Sequence, residues 1–256
     1  MTNTHHAKRF REVAAVLALG LASALGHAAD PSTASNAMTQ APIESLSARQ
    51  QAIVPVAAHA AAGDIPKLSD ALHKAFDAGM TISDAKEILV QLYAYAGFPR
   101  SLNALGELMK VVEARKTRGI QDAPGQEPSR PIPKGDALLA AGTANQTKLS
   151  GAPVKGPLFD FVPVANEYLR AHLFGDIFER DNLDWQSREI ATVSMLSALQ
   201  GADSQLQAHM GISMNVGITA GQLAALSQVL ADRVGAEAAT RAKGALARQI
   251  AARAKG

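Results

Sequence analysis

Apolar residues recur with helical spacing from near Leu46 to about Arg118, and again from Pro163 to Ala252. Such a period places one apolar stripe on each helix. In the first stretch the pattern breaks at Gly63-Asp64, at Gly79-Met80-Thr81 and at Gly97-Phe98-Pro99. Gly63 and Gly79 are suited to end helices, and Thr81 and Ser83 to start one, because a hydroxyl can accept from unpaired amides of the first turn. In the second stretch the spacing predicts helices over Pro163–Arg180, Trp185–Gln200, Ala202–Val216, Ala220–Ala231 and Ala236–Ala252. No run alternates β-branched and polar residues, so strands are not expected. Residues 119–158 hold Pro124, Pro128, Pro131, Pro133, Pro153 and Pro157 and read as an irregular connector, with a short helix over Asp136–Ala141. The pattern is that of an all-α protein.

The two helical stretches repeat one another. Gly79-Met80-Thr81 and Gly217-Ile218-Thr219 stand 138 positions apart, and the same offset brings Gly63 onto Gly201, Leu68 onto Leu206 and Gly97 onto Gly235. The expectation is a first unit over 45–118 and a second over 159–256, related by internal duplication. Two copies suit a pair of domains better than a solenoid, which needs about three or more stacked repeats.

The N-terminus changes the picture of where these helices reside. Lys8, Arg9 and Arg11 precede an apolar run from Val13 to Gly26, and small residues then lead to Ala28. This layout predicts a signal peptide over 1–28, a disordered lead over 29–44, and a periplasmic or secreted chain with no membrane segment after cleavage. The formal net charge is +2, and the three basic residues of the leader set against Glu12 account for it. A chain so near neutrality lacks the cationic footprint of a nucleic-acid binder. It also has no cysteine, so neither disulfides nor thiol chemistry are open to it.

Arg188-Glu189-Ile190-Ala191-Thr192-Val193, followed by Gln205-Leu206-Gln207-Ala208-His209 and Asn215-Val216-Gly217-Ile218-Thr219, resembles the first half of a carboxymuconolactone decarboxylase unit. Ala78-Gly79-Met80-Thr81, Glu87-Ile88-Leu89 and Tyr93 to Pro99 resemble its second half, and Phe174-Gly175-Asp176-Ile177-Phe178 is similar to the helix that precedes the unit. The resemblance implies the helical fold shared with the alkylhydroperoxidase-D group and assembly as a trimer or hexamer. One branch of these relatives uses a Cys-x-x-Cys pair before a histidine. Ala202 and Gln205 occupy those places here, which closes the thiol peroxidase route. The other branch decarboxylates a carboxylated lactone without metal or organic cofactor.

That chemistry needs a tuned acid and a hydrogen-bond donor. His209 is the candidate acid, with Glu189 on the preceding helix as its partner. Gln205 lies one turn before His209 and should share its face. The first copy has Gln51 and Ala71 where the second has Glu189 and His209. The second copy in turn has Ala231, Arg233 and Glu237 where the first has Tyr93, Tyr95 and Pro99. A single composite site is therefore expected, with Glu189 and His209 catalytic and Tyr93, Tyr95, Arg100 and Gln205 binding a small carboxylated molecule. Arg100 could hold a carboxylate with two hydrogen bonds. His59 and His73 fall outside this register and read as surface or packing residues. Three readings remain open: a cofactor-free carboxy-lyase, a non-catalytic or ligand-binding paralogue of the same fold, and a peroxidase-type activity, which the absence of cysteine disfavours.

Overall fold

A computed structural model describes residues 45–255, so the expected leader and lead over 1–44 lie outside the described residues. Five helices form the first part: α1 Ala48–Ala62, α2 Ile65–Asp77, α3 Ile82–Gln91, α4 Tyr93–Ala96 and α5 Phe98–Thr117. After a linker come α6 Asp136–Ser150, α7 Pro157–Phe161, α8 Pro163–Tyr168 and a π-helical segment Leu169–Ile177. The last four are α9 Trp185–Ala198, α10 Asp203–Asn215, α11 Ala220–Arg233 and α12 Ala236–Arg253. No strand occurs among the described residues, and none of their helices is long and apolar enough to cross a membrane.

Local chemistry sets the boundaries. Thr81 and Thr219 each accept from the amide three residues on, and each donates its own amide in return to the side-chain oxygen of Asp84 or Gln222. These reciprocal caps satisfy amides that a helix start leaves unpaired. Gly79 and Gly217, at φ 88° and 94°, make the left-handed turns ahead of them. The 138-residue offset extends to the helix starts: α2 and α10, α3 and α11, and α5 and α12 all begin that far apart. Ser83 does not cap α3. It lies inside the helix, and its hydroxyl donates to Gln126 O at 2.5 Å.

Helices α1 and α9 form the centre. Residues 52–61 of α1 and 187–197 of α9 are all buried. Alanines at 52, 57, 58, 60 and 61 keep α1 slender enough for its neighbours to close around it. The two stretches expected as separate units share one core, in which Ile53, Val54 and Leu89 lie in the same cluster as Ile190, Val193 and Leu206. A smaller apolar cluster joins Leu149 of α6, Leu173, Phe174 and Ile177 of the π-helical segment, and Ile212 of α10.

Two expectations require correction. The connector is not irregular throughout: α6 runs through to Ser150, well past Ala141. Its buried positions are Leu138, Gly142, Gln146 and Leu149, and a stripe containing a glycine and a glutamine does not read as apolar. The expected helix over Pro163–Arg180 is instead α8 followed by the π-helical segment, which changes the phase of the side chains.

Candidate functional site

Helices α9 and α10 fold back on each other through a turn at Gly201, whose φ of 77° few other residues adopt. This brings the fifth residue of α9, Glu189, to the seventh of α10, His209. Glu189 is fully buried, and its Oε2 accepts from His209 Nδ1 at 2.8 Å. The carboxylate thereby fixes the ring's tautomer and turns Nε2 away from it. The histidine side chain keeps 10% exposure, and Nε2 bonds no group among the described residues.

Tyr95 completes the arrangement from the other half of the chain. Its ring meets His209 edge-on, with centroids 5.6 Å apart. Its hydroxyl is buried beside Thr192, whose own oxygen is taken up by Gln91 and the Arg188 carbonyl. Burial, and then the neighbouring Glu189 carboxylate, hold the Tyr95 phenol firmly protonated. Tyr95 Oη, Glu189 Oε1 and Ser213 Oγ are all buried without a hydrogen-bond partner among the described residues. Ser213 follows His209 by one turn of α10 and shares its face. Buried polar atoms normally find partners, and two of these, Tyr95 Oη and Glu189 Oε1, belong to side chains in contact with His209.

The structure takes the other expected site residues elsewhere. Arg100 donates to the Ala61 carbonyl at the end of α1, where a cation suits the exposed carbonyls. Gln205 is exposed near the start of α10 and accepts from Ser204 Oγ. Tyr93 stacks on Phe98, centroids 4.3 Å apart, and its hydroxyl meets His172 Nε2. His172 Nδ1 in turn donates to Asp176 Oδ2 at 2.7 Å. This Tyr93–His172–Asp176 chain escaped the sequence reading. The i,i+4 spacing of His172 and Asp176 was its one available signal.

Neighbouring α9 residues belong to a buried ionic network. Arg188 Nη2 donates to Glu87 Oε2 at 3.0 Å and to the Arg180 carbonyl at 2.8 Å, and Arg180 grips the same carboxylate from outside at 2.7 Å. Burial pushes the Glu87 carboxyl up, but the two guanidinium groups and Asn182 outweigh it and hold it below its ordinary value. This network ties α3 to α9 and fixes the stretch of α9 from which Glu189 projects.

His59 is buried against the Arg233 carbonyl at 3.2 Å, a packing role, and His73 faces Arg118 on the surface. Neither Glu189 nor His209 lines any of the five clefts described on the molecule. No curated protein matches the chain. Residues 163–248, which hold α9, α10, α11 and the Glu189–His209 pair, match the model of the carboxymuconolactone decarboxylase family.

Proposed function

We propose that the chain is a cofactor-free acid/base enzyme acting on a small carboxylated lactone or a related acid. The observation that carries this reading is the buried Glu189–His209 hydrogen bond, with the Tyr95 ring against the histidine and Tyr95 Oη and Glu189 Oε1 without partners among the described residues. In such a reaction the carbon–carboxylate bond breaks and CO₂ departs. The electron pair passes into the lactone carbonyl as an enolate, and a proton returns to carbon. His209 is placed to carry that proton on Nε2, with Glu189 stabilising the imidazolium across Nδ1. Tyr95, kept neutral by burial, is a donor suited to the developing enolate oxygen. With no cysteine in the chain, the thiol peroxidase chemistry of related proteins has no counterpart here.

The chain's first part reads as a diverged second copy of the unit, supported by the helix starts that recur at one offset. Export through the N-terminal leader belongs to the same proposal and is supported by the order of its basic, apolar and small segments.

One observation favours a second reading, a ligand-binding paralogue without turnover: the pair lines none of the described clefts. Assays of the full chain with a panel of carboxylated lactones separate the two. In the enzyme, His209→Gln and Glu189→Gln should each lower turnover by at least ~10²-fold while the melting temperature stays within about 2 °C. Binding without CO₂ release would establish the paralogue. Destabilisation of both variants on the scale of a core deletion would make the pair structural.

A further inference from the structure

The acid/base site has a counterpart in the first half of the chain. At the 138-residue offset Glu189, His209 and Ser213 fall on Gln51, Ala71 and Ala75, and Tyr95 falls on Arg233. The same elements meet in both places. Arg233 reaches Gln51 Oε1 at 3.5 Å, as Tyr95 lies beside Glu189. Where α10 carries an imidazole and a hydroxyl, α2 carries two methyl groups, and a cleft of about 360 Å³ lies against them. Clefts that hold small molecules run from about 300 to 1,000 Å³.

The floor of this cleft offers acceptors. Pro55, inside α1, has no N–H, so the Gln51 carbonyl one turn earlier lacks its helical donor. His59, one turn later and only 5% exposed, donates from Nε2 to the Arg233 carbonyl at 3.2 Å. Burial lowers its pKa below 6.5, so the ring is neutral near pH 7. Its Nδ1 is then a bare acceptor, with no donor among the described residues. The rim is charged and balanced. Lys67, Lys74 and Arg233 stand with Asp70 and Asp232, and Asp64 holds Lys67 at 2.9 Å. The neighbouring Asp77 and Glu237 are taken by Arg115 and Arg241. Two cations and two carboxylates are left, a set that suits neither a simple anion nor a simple cation. We propose that the cleft is a second, non-catalytic site that binds a small zwitterion of the α-amino-acid class. The carboxylate of the ligand goes to Arg233, which can hold it with two hydrogen bonds, and its ammonium goes to the acceptors of the floor. A short aliphatic side chain fits against Ala52, Ala71 and Ala75. The correspondence of the two places rests on reading the first part as a diverged copy, but the proposal needs no turnover at His209.

The test is calorimetric titration of the purified full chain with L-valine, isobutyrate and isobutylamine. One L-valine per chain should bind with a dissociation constant of about 1 mM or tighter. Isobutyrate lacks the ammonium and isobutylamine the carboxylate, and each should bind at least about tenfold more weakly. Arg233→Gln should weaken L-valine by at least about tenfold. The Arg233 side chain is exposed, so the thermal melt should not move. Ala71→Leu fills the cleft and should abolish binding; Ala71 is buried, so Arg233→Gln is the variant that decides if Ala71→Leu fails to fold. His209→Gln should leave L-valine binding unchanged, whatever it does to turnover. No saturation by about 20 mM L-valine would overturn the proposal. Isobutyrate binding as tightly as L-valine would overturn it in favour of a plain anion site. Binding that survives Arg233→Gln, or that is lost in His209→Gln, would place the ligand elsewhere and overturn it as well. Absence of turnover in the wild type bears on the acid/base reading alone, so the two readings fail separately.

Discussion

Arg188 and Glu189 are neighbours on α9 and equally sealed from solvent, yet they are balanced in different ways. Arg188 sits over the Phe178 ring at 5.9 Å and is held by Glu87, Gln91 and a carbonyl. Glu189 has one partner, His209, and one free oxygen. The first is a guanidinium in an ion pair, although its Nε too has no partner among the described residues; the second is a carboxylate held by a single hydrogen bond. The distinction is measurable. Glu87→Gln leaves the Arg188 guanidinium in the interior without its counter-charge, and should cost about 3–5 kcal/mol in denaturant unfolding. Adding Arg188→Met should recover much of that loss, a coupling that a double-mutant cycle reads directly. A cost below about 1 kcal/mol for Glu87→Gln would show that Gln91, the Arg180 carbonyl or solvent is enough to hold Arg188. At this scale the sequence was legible where chemistry and spacing agreed. Glu189 and His209 stand 20 residues apart, which allows one helix end, a turn at Gly201 and a return. Arg100 was not legible, because nothing local shows that the end of α1 lies within its reach. Gln205 shares the His209 face in a helical projection, but it lies in the exposed first turn of α10.

Helix α6 shows how a close approach of two elements can hide in composition. A Cβ on Gly142 would lie 1.8 Å from the Arg170 carbonyl oxygen and 2.8 Å from the Gly175 nitrogen. The carbonyl belongs to the π-helical segment, whose wide turn brings it against α6, and Asn145 reaches the same segment at Phe174 O, 2.9 Å away. Alanine ordinarily improves a helix interior by about 0.5–1 kcal/mol over glycine. Here the obstacle is backbone, which no rotamer change can relieve, so Gly142→Ala should destabilise by about 1–3 kcal/mol or more. Gly106 in α5 is the control: a Cβ there meets nothing within 4 Å, and Gly106→Ala should stabilise. Paired thermal melts check both signs, and a stabilising Gly142→Ala would mean that α6 and the π-helical segment are not in contact. The helices with regular apolar stripes and glycine stops were legible from sequence, and their starts fall within a residue or two of expectation. The α6–π pair was not. Its contact is made by a glycine and by polar side chains, and a π turn shifts the phase that helical periodicity depends on.

Across the whole molecule, titratable groups in packed positions bind the chain's distant parts and give its stability a defined pH dependence. Burial pushes Asp84 up, but the Arg49 guanidinium at 2.7 Å and the Thr81 amide outweigh it and hold the carboxyl below its ordinary 3.8. Arg180 and Arg188 likewise hold Glu87 below 4.5. A carboxyl depressed on folding stabilises fully above its unfolded value, and that contribution is lost as pH falls toward the folded one. His59 differs in kind. Burial lowers its imidazole below 6.5, so the unfolded chain takes up a proton first, and stability begins to fall as pH drops through that value. The melting temperature should therefore decline in two stages on acidification: a shallow one beginning near pH 6.5, and a steeper one beginning near pH 4.5. His59→Gln should flatten the first stage alone. Glu87→Gln should lower the melting temperature at neutral pH and make the acid stage shallower, because that variant has already lost what acid removes. A melting temperature that is level or rising between pH 6 and pH 3 would show that other carboxyls, raised on folding, dominate the acid response.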